Sequence, residues 1–425
     1  MSIHPSKNSR RRRFAGLICC FCCGLLLTSC VPAALRNAPQ PVSHSSRDAS
    51  CIQNLDPRKD YFPDKIQITD GLGFQVEYHN TYKIVTIKSP WRDAKEQFRY
   101  VLVQCGAPPP ADVSAQQIIT IPVQRVATLS TTHLPHLEKL GLLDRLVAVN
   151  NFDWVYGSAT RQQLKRQNIA SVGNNATVNI ERLLELEPDL ITTYGSGDVS
   201  RDAHPKLLEA GLKVAINAEY MESTPLGQAE WIKFTSLFFN AEATANQVFT
   251  EIKQQYQRVA EVAQAAPSQP MVLTGFNNNG TWYIPGGQSY VAQLLRDAGA
   301  TYPWIDTEQA GSIPMNFEAV YDRAANADVW LNPSIQWKTV EDIRKADDRY
   351  ANFQPVKTGQ IFANDARVND SGGNDFWQSG IVNPHLVLSD LVKILHPELL
   401  PDHRLFYYRS LRTDATTTQP SSVSQ

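Results

Sequence analysis

The 425 residues carry 40 basic and 42 acidic side chains, a formal net charge of −2, and no basic tract outside the first thirteen residues. That balance argues against nucleic-acid binding, which depends on neutralising phosphates. About 360 residues lie between two low-complexity ends, more than one hydrophobic core usually holds, so two lobes are expected.

Residues 1–29 read as an address. Lys7 and Arg10 to Arg13 form a positive head, and Phe14 to Leu27 form an apolar run. That run is shorter than the roughly 20 residues a spanning helix needs. Leu27-Thr28-Ser29-Cys30 follows, with the small residues that precede a lipidated cysteine. A lipoprotein signal peptide with Cys30 as the anchored terminus is expected, on the outer, periplasmic face of a bacterial membrane. An ordinary cleaved leader is the alternative, and Arg11-Arg12-Arg13-Phe14 also admits twin-arginine export. Removing 1–29 takes away five basic and no acidic residues, leaving 35 against 42 and a net charge of −7. Of seven cysteines, four leave with the leader and Cys30 takes the lipid. Cys51 and Cys105 remain, and in an oxidising compartment they are expected to pair; two separate buried thiols are the alternative. Residues 30–50, rich in Pro, Ser and Ala, read as a tether, and 412–425 as a disordered tail.

From residue 51 to 117 the chain reads as a β-rich extension. Phe74, Val76 and Tyr78 alternate with polar residues, His79-Asn80 makes a turn, and β-prone segments follow from Tyr82 and from Phe98. From 118 to 224 strands and helices alternate: Val126 to Leu129, a helix through His136 ending at Gly141, Leu146 to Val149, a helix from Ile180 capped by Asn179, Asp189 to Thr193, a helix ending at Gly211, and Val214 to Ile216. This pattern predicts a parallel sheet covered on both faces. Residues 225–267 are helical, and the stretch from Asn240 to Ala263 predicts one long helix joining two lobes. Strand–helix alternation then resumes over 268–411. The fold class expected is α/β: two Rossmann-like lobes with central parallel sheets, bridged by one long α-helix and preceded by the β-rich extension.

Arg125-Val126-Ala127-Thr128-Leu129-Ser130 and the segment Leu137 to Val149, then Asn179 to Ile191 with its Glu187-Pro188-Asp189 helix end, then Leu207 to Val214, resemble in order the periplasmic siderophore and vitamin B12 binding proteins of ABC importers. Asn316-Phe317-Glu318-Ala319-Val320 and Ala327-Asp328-Val329-Trp330-Leu331 resemble the family's second-lobe unit. The resemblance spans roughly residues 118–400 and leaves the extension outside it. It implies a rigid two-lobe monomer without enzymatic activity or cofactor. Such a protein captures an iron chelate, haem or corrinoid and hands it to a permease driven by a cytoplasmic ATPase. It also implies docking to that permease through an acid on each lobe: Glu318 on the second, Asp198 or Asp202 on the first.

Loops at strand ends should line the cleft. Those loops hold Thr131, Trp154, Tyr156, Tyr194, Tyr220, Asn277, Trp282, Tyr283, Trp304, Trp337, Arg367 and Trp377, which form the expected ligand-binding set. Aromatic faces suit flat chelates, and an arginine suits an anionic complex. A bare Zn or Mn ion is the alternative ligand. Such sites need about three His and a carboxylate, and His133, His136 and His204 would be its source, although His133 and His136 read more simply as surface or rim residues. Gly195-Ser196-Gly197 and Gly286-Gly287 read as turns, or as places where a ligand approaches the backbone closely. No catalytic motif is present.

Overall fold

The computed structural model describes residues 51–111, 113, 118–173 and 177–411. The leader, Cys30, the tether and the tail expected at 412–425 lie outside these residues.

The extension forms a four-stranded sheet. β1 (Phe74–Tyr78), β2 (Tyr82–Ile87) and β3 (Phe98–Gln104) are antiparallel, and β4 (Ile118–Ile121) runs parallel to β3. Its inner face (Phe74, Val85, Ile87, Leu102, Ile121) shares one apolar cluster with Trp231, Phe234 and Phe238, while Ile84, Val101 and Val103 form a small cluster of their own. The extension thus packs against the first lobe. Two carboxylates fasten the segment before β1. Glu230 accepts N–H bonds from Thr69, Asp70 and Gly71, and Glu222 accepts from Leu72 and Gly73. Cys51 and Cys105, 54 residues apart with Cα atoms 4.8 Å from one another, form the expected disulfide.

In the first lobe β5 (Val126–Thr128), β6 (Leu146–Val149), β7 (Ala170–Ser171), β8 (Leu190–Thr193) and β9 (Val214–Ile216) build a wholly parallel sheet in the order β7-β6-β5-β8-β9. Continuous apolar runs suit strands covered on both faces. The strand order reverses between β5 and β8, which opens a crevice beyond their carboxyl ends. The helix Ile180–Leu186 starts where the sequence indicates, because the Asn179 side chain accepts the Arg182 N–H.

The helix Pro225–Leu237 is buried almost all round. Asn240, at φ 55°, turns the chain into the long helix Glu242–Gln264, whose 23 residues span about 35 Å. Its Ala245, Phe249 and Ile252 pack with Ile232, Ile381 and Val382, while Tyr256 and Ala263 enter the second-lobe core. The helix is thus built into both lobes.

The second lobe holds β10 (Val272–Thr274), β11 (Asn277–Asn278), β12 (Thr281–Pro285), β13 (Ser312–Met315), β14 (Val329–Leu331), β15 (Ile361–Ala363) and β16 (Arg409–Ser410). β10, β14 and β15 are parallel and β16 closes that sheet antiparallel. β11, β12 and β13 form a separate antiparallel sheet, which the strand–helix reading did not anticipate.

Candidate functional site

The lobes meet through the loops that follow their strands. Along one seam the loop after β6 meets the segment after β15. Gln378 accepts the Tyr156 N–H at 2.8 Å and donates to the Tyr156 carbonyl, and Asn369 donates to the carbonyls of Asp153 and Val155, each at 3.0 Å. On the opposite side the loop after β9 faces the end of β12 and residues 309–312 across a cavity of about 650 Å³. That volume lies within the range typical of small-molecule sites. Two further cavities are less suited. One of about 490 Å³ beside the long helix is lined by Lys65, Lys233 and Lys253, each already paired with a carboxylate. The other, of about 340 Å³, lies at the disulfide. Of these three, the 650 Å³ cavity is the one lined by residues of both lobes.

Its third wall comes from the extension. The loop between β2 and β3 contributes Ser89 and Trp91 to Ala94. Trp91 lies over Gly195 and Gly197 at the β8 end, where a Cβ on either glycine would come within 2.6–2.7 Å of the indole. The close approach that these glycines permit is therefore made by the chain's own tryptophan. Trp91 also packs against Phe98 and His204. The Tyr220 hydroxyl ties the same corner together, donating to Gly195 O at 2.5 Å with Pro90 O 3.3 Å away, and burial raises its pKa to about 12.

Of the twelve residues expected to line the cleft, Tyr220 alone lines this cavity. Trp154, Tyr220, Tyr283 and Trp377 are the exposed large aromatics among the described residues, and all four belong to the set expected from the sequence. Tyr156 and Arg367 belong to the seam. The guanidinium lies 5.0 Å from the Tyr156 ring centre and 4.1 Å from that of Phe406, and its charge is met by Asp375 at 2.6 Å. The helix Asp375–Gln378 packs against the turn Thr131–His133, which brings half-buried Thr131 to the same seam. Tyr194 is half-buried at the β8 end.

Other expectations are corrected. Trp282 and Trp304 are core side chains, 0% and 1% exposed, because β12 alternates Trp282 inward with Tyr283 outward and Trp304 packs on Tyr302. Trp337 is half-buried and packs on Phe276, Trp330 and Tyr350. The Asn277 side chain closes the β11–β12 turn by accepting the Gly280 N–H. Asp202 is buried and accepts the N–H groups of Ser196 and Gly197, so it holds a loop instead of offering a docking charge. Asp198 and Glu318 are exposed, the latter paired with Arg349 at 2.9 Å.

His133 and His136, expected at the surface or rim, are 3% and 0% exposed. Each shares a hydrogen bond between Nδ1 and a threonine hydroxyl, Thr192 and Thr235 respectively, and burial drives both pKa values down to about 3. His204 is also buried, at the start of the helix His204–Glu209. Next to His133 lies Glu219, immediately before Tyr220. Its carboxylate accepts the Thr132 hydroxyl at 2.6 Å, and burial raises its pKa to about 7. Glu219 Oε2 and His133 Nε2 stand 3.9 Å apart, and neither has a hydrogen-bond partner. Glu219, Trp91 and Arg92 lie outside the set expected from the sequence. Ser89-Pro90-Trp91 was the available signal, a tryptophan in a proline-marked loop between two strands.

The model of the family described as periplasmic binding protein matches residues 126–368. An uncharacterized lipoprotein of Methanocaldococcus jannaschii is 27% identical over 313 residues, 72% of each chain. Among solved structures, a possible iron-binding (periplasmic solute-binding) protein from Staphylococcus epidermidis superposes with a TM-score of 0.51 at 17% identity, over 65% of this chain and 99% of that one. A periplasmic binding protein from Veillonella parvula gives 0.50 at 12% identity, over 76% and 98%. The two-lobe fold and the parallel sheets agree with these structures. This chain belongs to the periplasmic binding protein family, as its resemblance indicates.

Proposed function

We propose that this protein is the substrate-binding lipoprotein of an ABC importer, which captures a ferric chelate between its lobes and delivers it to a permease without changing it. The observation that carries this reading is the 650 Å³ cavity bounded by both lobes and walled by Trp91, Tyr220 and Tyr290. Aromatic and tyrosyl walls suit a bulky, partly apolar complex. The anchor at Cys30 is supported by the leader pattern and by a relative that is a lipoprotein. Among the described residues no helix is long and apolar enough to cross a membrane.

Tryptophan fluorescence titration of the purified protein tests the reading, because Trp91 lies in the wall. A panel of ferric catecholate, ferric hydroxamate, ferric citrate, haem and cobalamin should include one class that quenches at submicromolar concentration, about −8 kcal/mol or tighter. Response to free Zn²⁺ or Mn²⁺ alone, or chemical turnover of a bound chelate, would replace this function with another.

A further inference from the structure

We infer that the extension loop 89–94 is a specificity element of the ligand cavity, and that Arg92 makes the cavity select an anionic chelate. This rests on the cavity being the ligand's site, as proposed above.

The extension lies outside the segment that matches the family, 126–368, so the family pattern assigns its loop no part in the cleft. Yet Trp91 fills the surface over Gly195 and Gly197 at the end of β8, one of the two strands at the first-lobe crevice where a doubly wound sheet would ordinarily receive a ligand. A guest is thereby displaced toward the gap between Arg92, Tyr220 and the second lobe. Arg92 crosses that gap: its guanidinium lies against Gly311, and a Cβ at Gly311 would overlap Nη2. The absence of a side chain at 311 leaves room for the cation.

Three charged residues line the cavity: Arg92, Asp93 and Glu222. Glu222 is buried, and its carboxylate is satisfied by the N–H groups of Leu72 and Gly73 and by the Trp231 indole N–H. Asp93 is exposed and forms no ion pair with Arg92. Among the described residues no carboxylate lies within ion-pair distance of the Arg92 guanidinium, and no hydrogen bond uses it. Arg367, the arginine that the sequence favours as a ligand contact, is by contrast met by Asp375. A planar, permanently charged group with free donors, set in a concave wall beside aromatic rings, recognises anionic oxygens.

The test compares the parent protein with Arg92→Gln and Arg92→Lys, using a trianionic ferric tris-catecholate and a neutral ferric tri-hydroxamate as probes. Arg92→Gln should weaken catecholate binding by about tenfold or more, the lower end for a hydrogen bond to a charged group, and leave hydroxamate binding unchanged. Arg92→Lys should restore part of the loss, and added salt should weaken catecholate binding in the parent more than in Arg92→Gln. Arg92 is exposed, so the substitution removes no core contact. Unchanged catecholate affinity, or equal loss for both probes, overturns the charge assignment while leaving the transport reading standing. Failure of the parent to bind either probe, or any other chelate, removes both.

Discussion

The buried carboxylate of Glu219 should make stability depend on pH near neutrality. Glu219 sits between Thr132 and His133, with its backbone N–H held by the Asn217 side chain and Tyr220 next in the chain. Burial raises its pKa from an ordinary 4.5 to about 7, with the Thr132 hydrogen bond opposing the shift. The folded state therefore holds this proton more tightly than the unfolded chain. The stabilisation is complete below pH 4.5 and is lost as pH rises through 7. A shift of that size corresponds to roughly 3 kcal/mol. His133 and His136 act in the opposite sense: buried and neutral, they contribute above about pH 6.5 and lose that contribution as pH falls toward 3. Glu219→Gln keeps the shape and removes one ionisation. Urea denaturation at pH 5 and pH 8 should show the parent losing stability relative to the variant between those values. Parallel behaviour of the two proteins would mean that Glu219 ionises like a solvated carboxylate.

At the scale of elements, the apolar face that the extension sheet shares with the first lobe is reinforced by buried carboxylates that fasten the strap leading into it. Glu230, fully buried, receives three consecutive N–H groups and pairs with Lys233 at 2.7 Å. Glu230→Ala would leave those three donors without partners and the Lys233 ammonium with only the Gln67 carbonyl to accept from it, a loss of roughly 3–5 kcal/mol. Hydrogen exchange should accelerate at Thr69 to Gly73 well before the β5–β9 sheet responds. Equal acceleration in both would show that strap and lobe open together. The same fastenings explain what the sequence could and could not disclose. The first-lobe strands and the helix at Ile180 were legible because apolar runs and an Asn cap are local signals. The antiparallel sheet of the second lobe had its own local mark, Asn279-Gly280, both at positive φ in the turn joining β11 and β12. With that turn recognised, Trp282 would have read as an inward strand position. The cavity was not legible in this way. Its extension wall is placed by contacts across more than a hundred residues, Trp91 on Gly195 and Arg92 on Gly311, and no periodicity encodes them.

At the scale of the whole molecule, the long helix decides how the lobes can move. Its apolar residues belong to clusters on both sides, and the seam between Tyr156 and Gln378 adds direct hydrogen bonds between the lobes. Hinge opening would have to break packing that a few flexible residues cannot absorb, so small sliding motions are favoured. A rigid frame keeps the exposed acids Glu318 and Asp198 at nearly constant spacing whether or not the cavity is filled. If these are the groups that meet the permease, docking and ligand capture separate cleanly by mutation. Glu318 shares an exposed, solvent-screened ion pair with Arg349, so Glu318→Ala should fold normally. Its ligand affinity, measured by the same fluorescence titration, should equal that of the parent, while chelate uptake by cells carrying the variant should fall severalfold. Loss of affinity in the purified variant would move Glu318 from the docking surface to the ligand site. Normal uptake with normal affinity would assign the permease contact to other residues.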